Sequence, residues 1–492
     1  MIKVIPTIFV VLLFLASGTR NSPSRLRLPE ATAQDSMVPT SIRMVDLPPP
    51  QTPNPSPTPF PTPVIDIAAY LPKRTEGRTV RVSGKDLASL IQAAEDDATA
   101  GTVIVEGGGS LTKQIVLKRH TIFEGSTYSC DWKGETDYGA IQIANGVLVE
   151  AKGTTFLEPT YQDPRGVPAL EVFQALDDSC CSHEGAPHDV AITGDFTIQG
   201  RQTSYDGGVR SSILLGNCTH CAVVGAHLKG TASIGVTVGG NAAKGNFAKN
   251  VLIYRNSMDQ VPAANIAVIN AEDVIVAENK ITRPSKGPPF GGGVSGVDLE
   301  PNTVLDHMAR IQIFNNDIAY DDAIRFAAGT AMVLQNPYAS PLVKDVVAVN
   351  NRVSGGSLTD QHERNERPLT MGVWVNGPIP GLIVANNWVS KSGQAGYRFD
   401  YGGAGYRIEN NTCVSCGGGG LWAMMLYGIS GATVKGNSLY DYPGTWYSTA
   451  SAIRVCESAK GRGDAKNNIF RDNNVEERWT KLYGNPVAVS CY

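Results

Sequence analysis

One pattern recurs through the second half of the chain and constrains its fold more than any other feature: apolar, any, apolar, any, any, Asn, any, apolar. It stands at Val251-Ile253-Asn256-Met258, Val274-Val276-Asn279-Ile281, Ile311-Ile313-Asn316-Ile318 and Val346-Ala348-Asn351-Val353. It continues at Leu382-Val384-Asn387-Val389, Tyr406-Ile408-Asn411-Cys413 and Ala432-Val434-Asn437-Leu439, and more weakly at Asn468-Phe470-Asn473-Val475. Successive Asn positions lie 23, 37, 35, 36, 24, 26 and 36 residues apart, so the short interval is one bare coil and the long ones carry an inserted loop. Alternation sends two side chains of each unit into a core. Asn tolerates a left-handed bend, and its amide can bond an identical Asn stacked about 4.8 Å away. A single coil cannot bury its apolar face; stacked neighbours can. The chain is therefore expected to form a solenoid. A helix over Lys85–Ala94, with Leu87, Leu90 and Ile91 on one face and Ser83 as its cap, is placed to cover the first coil.

The runs Asn315–Ile318 (NNDI), Glu278–Ile281 (ENKI) and Glu409–Val414 (ENNTCV), following Gly101–Leu111 (GTVIVEGGGSL), resemble the right-handed parallel β-helix, pectate-lyase-like superfamily over roughly Thr79 to Asn474. The resemblance implies an all-β, right-handed parallel β-helix with an N-terminal capping α-helix. Lyases, glycoside hydrolases, epimerases and noncatalytic adhesins share that fold, most of them acting on long polysaccharides. Gly296–Glu300 (GVDLE) followed by Tyr320–Ile324 (YDDAI) is similar to two consecutive coils of the polygalacturonase family, whose motifs are N-T-D-G-I-D and G-D-D. Asp321 and Asp322 match the second motif, and Asp298 matches the last, noncatalytic Asp of the first. The catalytic Asp of the first motif falls at Ser295. The G-H-G and R-I-K motifs are missing, with Arg398 in Tyr-Arg-Phe a loose counterpart of the latter, and the vWiDH signature of one pectate lyase family is absent too.

A second strand in each coil can be set in register with its neighbours: Gly296–Pro301, then those beginning at Ala323, Gly372, Tyr397, Gly420 and Ala452. With Val297/Leu299, Ile324/Phe326, Val373/Val375 and Ile453/Val455 inward, alternation fixes what points out. One outward column reads Asp298, Arg325, Trp374, Arg398, Trp422, Arg454, and its neighbour reads Glu300, Ala327, Asn376, Asp400, Met424, Cys456. Trp offers a flat apolar face to a sugar ring, and Arg pairs with carboxylates in a bidentate fork that suits a uronic-acid polymer. The plainer alternative is a structural ladder in which Asp298–Arg325 and Arg398–Asp400 neutralise one another. The segment Asp360–Arg367 is either a solvated charged turn or a rim that brings His362 or Arg364 over the groove. His307 is expected to be an ordinary polar loop residue.

Lys3, the apolar run Val4–Ala16 and the small residues that follow describe a secretory signal cut after Gly18, against the alternative of an uncleaved anchor. Nine of the 16 residues from Pro48 to Pro63 are proline, the mark of an extended spacer. The expected organisation is a signal peptide over 1–18, a Pro-rich linker over 19–64 and the β-helix with its cap over 65–492, in a secreted or cell-surface monomer. Lys plus Arg number 42 against 46 Asp plus Glu, with no cationic stripe, which excludes nucleic acid as a partner. Cys180, Cys181, Cys218 and Cys221 crowd together with His183, His188 and His220. For an exported chain, disulfides between consecutive coils are favoured over zinc. Cys413, Cys416, Cys456 and Cys491 are candidates to tie down the C-terminal coils.

The function expected from this pattern is action on an acidic polysaccharide. In β-elimination, Asp298, Glu300 and Asp322 would surround a calcium ion or the sugar carboxylate, with Arg325 or Arg398 as base. Trp374, Asn376, Asp400, Trp422, Arg454 and His362 would line the substrate. Hydrolysis by Asp298, Asp321 or Asp322 is the alternative reaction, since Asp298 and Glu300 stand roughly 7 Å apart by strand geometry. A noncatalytic glycan-binding adhesin is the alternative class.

Overall fold

Alternating apolar residues at the predicted positions enter a single continuous interior. Val251, Ile253 and Met258 of one coil, Val274, Val276 and Ile281 of the next, and Ile311, Ile313 and Ile318 of the third are all fully buried. They pair residue on residue, Val251 with Val274 and Val274 with Ile311, in parallel strands. Burying one such side chain contributes about 1.5–3 kcal/mol. The structure, a computed structural model, describes residues 59–132, 139–159, 171–175, 187–201, 211–231, 234–239, 246–283, 295–320, 329–355, 369–416, 423–440, 452–456, 466–475 and 487–489. The chain divides into two units, Met1–Asn54 and Pro55–Tyr492, and every described residue belongs to the second. Its strands form two all-parallel sheets, one of 25 and one of 13 strands among the described residues, wound as a right-handed parallel β-helix. The 13-stranded sheet climbs in chain order from Ile115–Leu117 to Val487–Val489, one rung per coil.

The Asn positions make an unbroken buried ladder. The Nδ2 of Asn256 donates to Oδ1 of Asn279 (3.0 Å), and the same bond links Asn279 to Asn316, Asn316 to Asn351, Asn351 to Asn387, Asn387 to Asn411, Asn411 to Asn437 and Asn437 to Asn473, all at 2.9–3.1 Å. The left-handed residue is not the ladder Asn but the one before it: Arg255, Glu278, Asn315, Asn350, Asn386, Asn410, Gly436 and Asp472 all have φ between 53° and 65°. The division of labour is physical. The first residue turns the chain, which frees the second to aim its amide along the stack.

The cap helix spans Leu87–Asp96, two residues later than expected. Ser83 does not cap it; Asp86, in the left-handed region, precedes its first turn without a side-chain bond. Leu87, Ala88, Ile91 and Ala94 face the first coil, while Leu90 is 39% exposed. The helix is fastened by Glu95, whose carboxylate accepts from the backbone N–H of Lys118 (2.6 Å) and Arg119 (2.8 Å) and from the Thr121 hydroxyl (2.8 Å).

Before the first strand, residues 59–71 run as a strap over the outer face of the wide sheet. Phe60, Ile65, Ile67, Tyr70 and Leu71 pack on an apolar stripe that includes Leu148, Ala222, Leu252, Tyr254, Phe314 and Val349. At one end, the Phe60 backbone N–H donates to Asn350 Oδ1 (2.9 Å) and Asn350 Nδ2 donates to the Phe60 carbonyl (2.8 Å). At the other, the Ala69 carbonyl lies 2.6 Å from His220 Nε2, and the Tyr70 ring stacks on the His220 imidazole. Phe60, assigned to the linker by sequence, is thus seated on the body.

Both described disulfides close within one turn: Cys218 with Cys221 and Cys413 with Cys416, Cα atoms 6.1 and 6.0 Å apart. The expected bridges between coils are corrected at these positions. All four cysteines are buried, Cys218 just before and Cys221 within the strand Thr219–Lys229, Cys413 within and Cys416 just after the strand Thr412–Val414. Cys180, Cys181 and Cys491 lie outside the described residues.

Candidate active site

The outer face of the 13-stranded sheet carries the expected chemistry, in a partly different register. Asp298 pairs with Val333, Val333 with Trp374, Trp374 with Arg398, Arg398 with Met425 and Met425 with Arg454. The column is therefore Asp298, Val333, Trp374, Arg398, Met425, Arg454. Arg325, on the run starting at Ala323, lies outside the described residues, and the strand that supplies the rung after Asp298 is Gly329–Gln335. That later run sends Met332 and Leu334 fully into the core, and Gly329 leaves room for the Tyr320 ring, which a Cβ there would strike. The rung after Arg398 carries Met425, with Met424 and Leu426 turned inward. Met424, expected outward, is fully buried. In the second column Asn376 pairs with Asp400, Asp400 with Tyr427 and Tyr427 with Cys456, and Asp400 and Cys456 are buried. Asp321, Asp322, Arg325, His362 and Trp422 lie outside the described residues.

Asp298 and Glu300 project from the end of the Ser295–Leu299 strand. The Ser295 hydroxyl donates to Asp298 Oδ2 (2.9 Å), whereas Oδ1 is sealed from solvent with no hydrogen-bond partner. Burial, then the neighbouring Glu300 charge, push the Asp298 carboxyl up to about 7 against the opposing pull of Ser295 and Gln335. Burial also raises the Glu300 carboxyl. Ser295, which stands where the polygalacturonase motif has its catalytic Asp, acts here as a hydrogen-bond donor to Asp298.

Three rungs along, Asp400 Oδ2 accepts from Trp374 Nε1 (2.9 Å) and from Arg398 Nε (2.6 Å). Asp400 is buried while the Arg398 side chain stays 31% exposed. Burial raises the Asp400 carboxyl, with Arg398 and Trp374 pulling the other way. The arrangement fixes the indole edge and the guanidinium relative to one another and leaves both residues partly exposed. Arg398 is thereby tied to Asp400, a poor arrangement for a base. The pairing of Arg398 with Asp400 is the element of the neutralising-ladder alternative that falls within the described residues, and it forms.

Of the carboxyls expected around calcium, Asp298 and Glu300 alone are described, and both are held toward the protonated form; calcium takes six to eight oxygen ligands. Among the described residues no group of three His, Cys, Asp or Glu is arranged to hold a metal. His307 sits away from this face, stacked on Phe247 with Nε2 3.0 Å from Glu272 Oε2, an ordinary polar role as expected. Two aromatic residues beside Asp400 went unnoticed in the sequence: Tyr401, 36% exposed, and Tyr427, partly exposed on the next rung. Tyr401 is followed by Gly-Gly, a turn signal that draws attention to the glycines rather than to the ring before them.

Fold and face together define a right-handed parallel β-helix with a polar, aromatic flank on its narrow sheet. Solved structures share that fold. A mutant tailspike protein of E. coli bacteriophage HK620 in complex with a pentasaccharide is 14% identical, covering 82% of this chain and 74% of that one, with a TM-score of 0.50. A second mutant of the same tailspike with pentasaccharide is 14% identical over 83% and 75%, with a TM-score of 0.51. A family 28 exopolygalacturonase of Yersinia enterocolitica is 13% identical over 84% and 77%, with a TM-score of 0.49. At these identities the likeness is one of fold. No family model matches the sequence, and no curated protein does.

Proposed function

We propose that this protein is an exported enzyme that hydrolyses glycosidic bonds in an acidic polysaccharide, with Asp298 and Glu300 as its acid and base. The observation that carries this is the pair itself. Burial raises both outward carboxyls, and the Glu300 charge raises Asp298 further, to about 7, so that near neutral pH Asp298 is poised to hold the proton of an acid while Glu300 serves as the base. Their spacing of roughly 7 Å falls within the ~6.5–9.5 Å that leaves room for a water between sugar and base, as inversion requires. The protonated carboxyl donates to the leaving oxygen; the ionised one takes a proton from the attacking water. Trp374 presents an apolar face to a sugar ring, and Arg398 and Arg454 present cations to sugar carboxylates. That a tailspike of the same fold was solved with a pentasaccharide agrees with a glycan as partner. Hydrolysis is preferred to β-elimination because Arg398, the described candidate base, is tied to Asp400.

Incubation with a panel of polyuronates tests this. New reducing ends without the ultraviolet absorbance of an unsaturated uronide are expected, and Asp298→Asn or Glu300→Gln should each lower turnover at least about 100-fold. Unsaturated products would establish a lyase instead, and tight binding with no product of either kind would establish an adhesin.

A further inference from the structure

Tyr401 combines three features that packing alone does not explain. Its backbone lies in the left-handed region (φ 66°), where a bulky aromatic residue is an outlier and where strain concentrates at ligand-handling sites. Its ring is 36% exposed instead of entering the core. It is held edge-on against Tyr427 of the following coil, with centroids 6.1 Å apart and planes at 75°, while its backbone N–H donates to the Tyr427 carbonyl (2.9 Å). Glycine would relieve the backbone at this position, and the next residue, Gly402, is itself a glycine at φ 85°. A strained, exposed aromatic ring directly after the buried carboxylate that anchors Trp374 and Arg398 is placed by the fold and not buried by it.

We propose that Tyr401, buttressed by Tyr427, is a second sugar-stacking platform that extends the groove toward the C-terminal coils and binds the C–H face of a pyranose ring several units from the bond cleaved. The proposal rests on the reading of this flank as a glycan groove. Tyr401 follows Asp400 on the third rung beyond Glu300, about 14 Å at ~4.8 Å per rung, with Tyr427 on the fourth. One rung is close to one sugar unit of an extended chain. The platform therefore meets about the third unit from the acid pair, and a long oligosaccharide reaches it where a short one does not. An aromatic platform also suits a polymer, because it reads ring shape without demanding a particular hydroxyl pattern.

The test is Tyr401→Gly in the full chain, with hexamers and trimers from a panel of uronic-acid and neutral polysaccharides as probes. Binding is followed by calorimetry and unfolding by temperature. For the tightest-binding hexamer the variant is expected to lose about five- to tenfold in affinity, the trimer of the same sugar losing much less, while the melting temperature holds or rises because strain is released. Equal hexamer affinity in the two proteins overturns the platform, as does a lowered melting temperature with no length-dependent loss, which would mark Tyr401 as structural. Absence of hexamer binding by the wild-type protein overturns both the platform and the groove. Hexamer binding that weakens in the variant, without hydrolysis by either protein, supports the platform and removes only the hydrolytic reading.

Discussion

Asp298 owes its chemistry to an imbalance between its two oxygens: Oδ2 accepts from Ser295, and Oδ1 is buried with nothing to accept from. A carboxyl in that position holds its proton to about 7, well above the value of an unfolded chain. Because Asp298 then holds its proton in the folded state and not in the unfolded one between about 4 and 7, its contribution to stability falls as pH rises through that window and levels off above it. Asp298→Asn, which cannot ionise, should flatten this dependence and melt a few degrees above the wild type at about pH 8, despite its loss of turnover. Thermal melts of the two proteins across pH check it; parallel curves would show that Asp298 ionises freely. The acid pair was legible in the sequence because strict alternation in Gly-Val-Asp-Leu-Glu permits only one inward set. Arg325 and Trp422 lie outside the described residues, and the rungs expected for them carry Val333 and Met425. The coils that contain them offer two alternating runs each, and hydrophobic period alone does not choose between them. In the structure Met332 with Leu334, and Met424 with Leu426, fill the interior at those rungs.

The Asn ladder shows how an element is built from one repeated amide. Asn351 donates to Asn387 Oδ1 and to the carbonyls of Ile313 and Val349, and its Oδ1 accepts both the backbone N–H and the Nδ2 of Asn316. Asn351→Ala leaves several buried groups without partners and should cost about 2–4 kcal/mol. Asn473→Ala, at the partly exposed end of the ladder, should cost less. Denaturant unfolding of the two variants measures the difference, and equal losses would argue that the stack is not the source of the stability. This element was almost fully readable, down to the order of its rungs. The exception is which residue bends. The Asn-Asn pairs at 315–316, 350–351, 386–387 and 410–411 hold two identical side chains whose separate roles only backbone geometry distinguishes. The cap helix was readable as to place but not as to its start, since Asp86 and Ser83 are both credible first-turn residues by type.

At the scale of the molecule, the strap from Phe60 to Leu71 covers an apolar stripe that a solenoid would otherwise present to water. Composition concealed it. Proline-rich sequence is expected to be solvated, and the contact from Phe60 to Asn350 joins residues 290 apart, beyond the reach of any local pattern. A variant lacking residues up to Leu71 should melt earlier, bind apolar dyes and self-associate, as followed by calorimetry, dye fluorescence and size-exclusion chromatography. If it stays monomeric with unchanged melting, the strap is ornamental. The strap also fixes where Phe60 sits: at the rung of Asn350, on the broad wall, and not at either extremity of the stack. A pull on Phe60 would load the strap's contacts in shear across several rungs, while the tyrosine and carboxyl flank belongs to the other wall and takes none of that load directly.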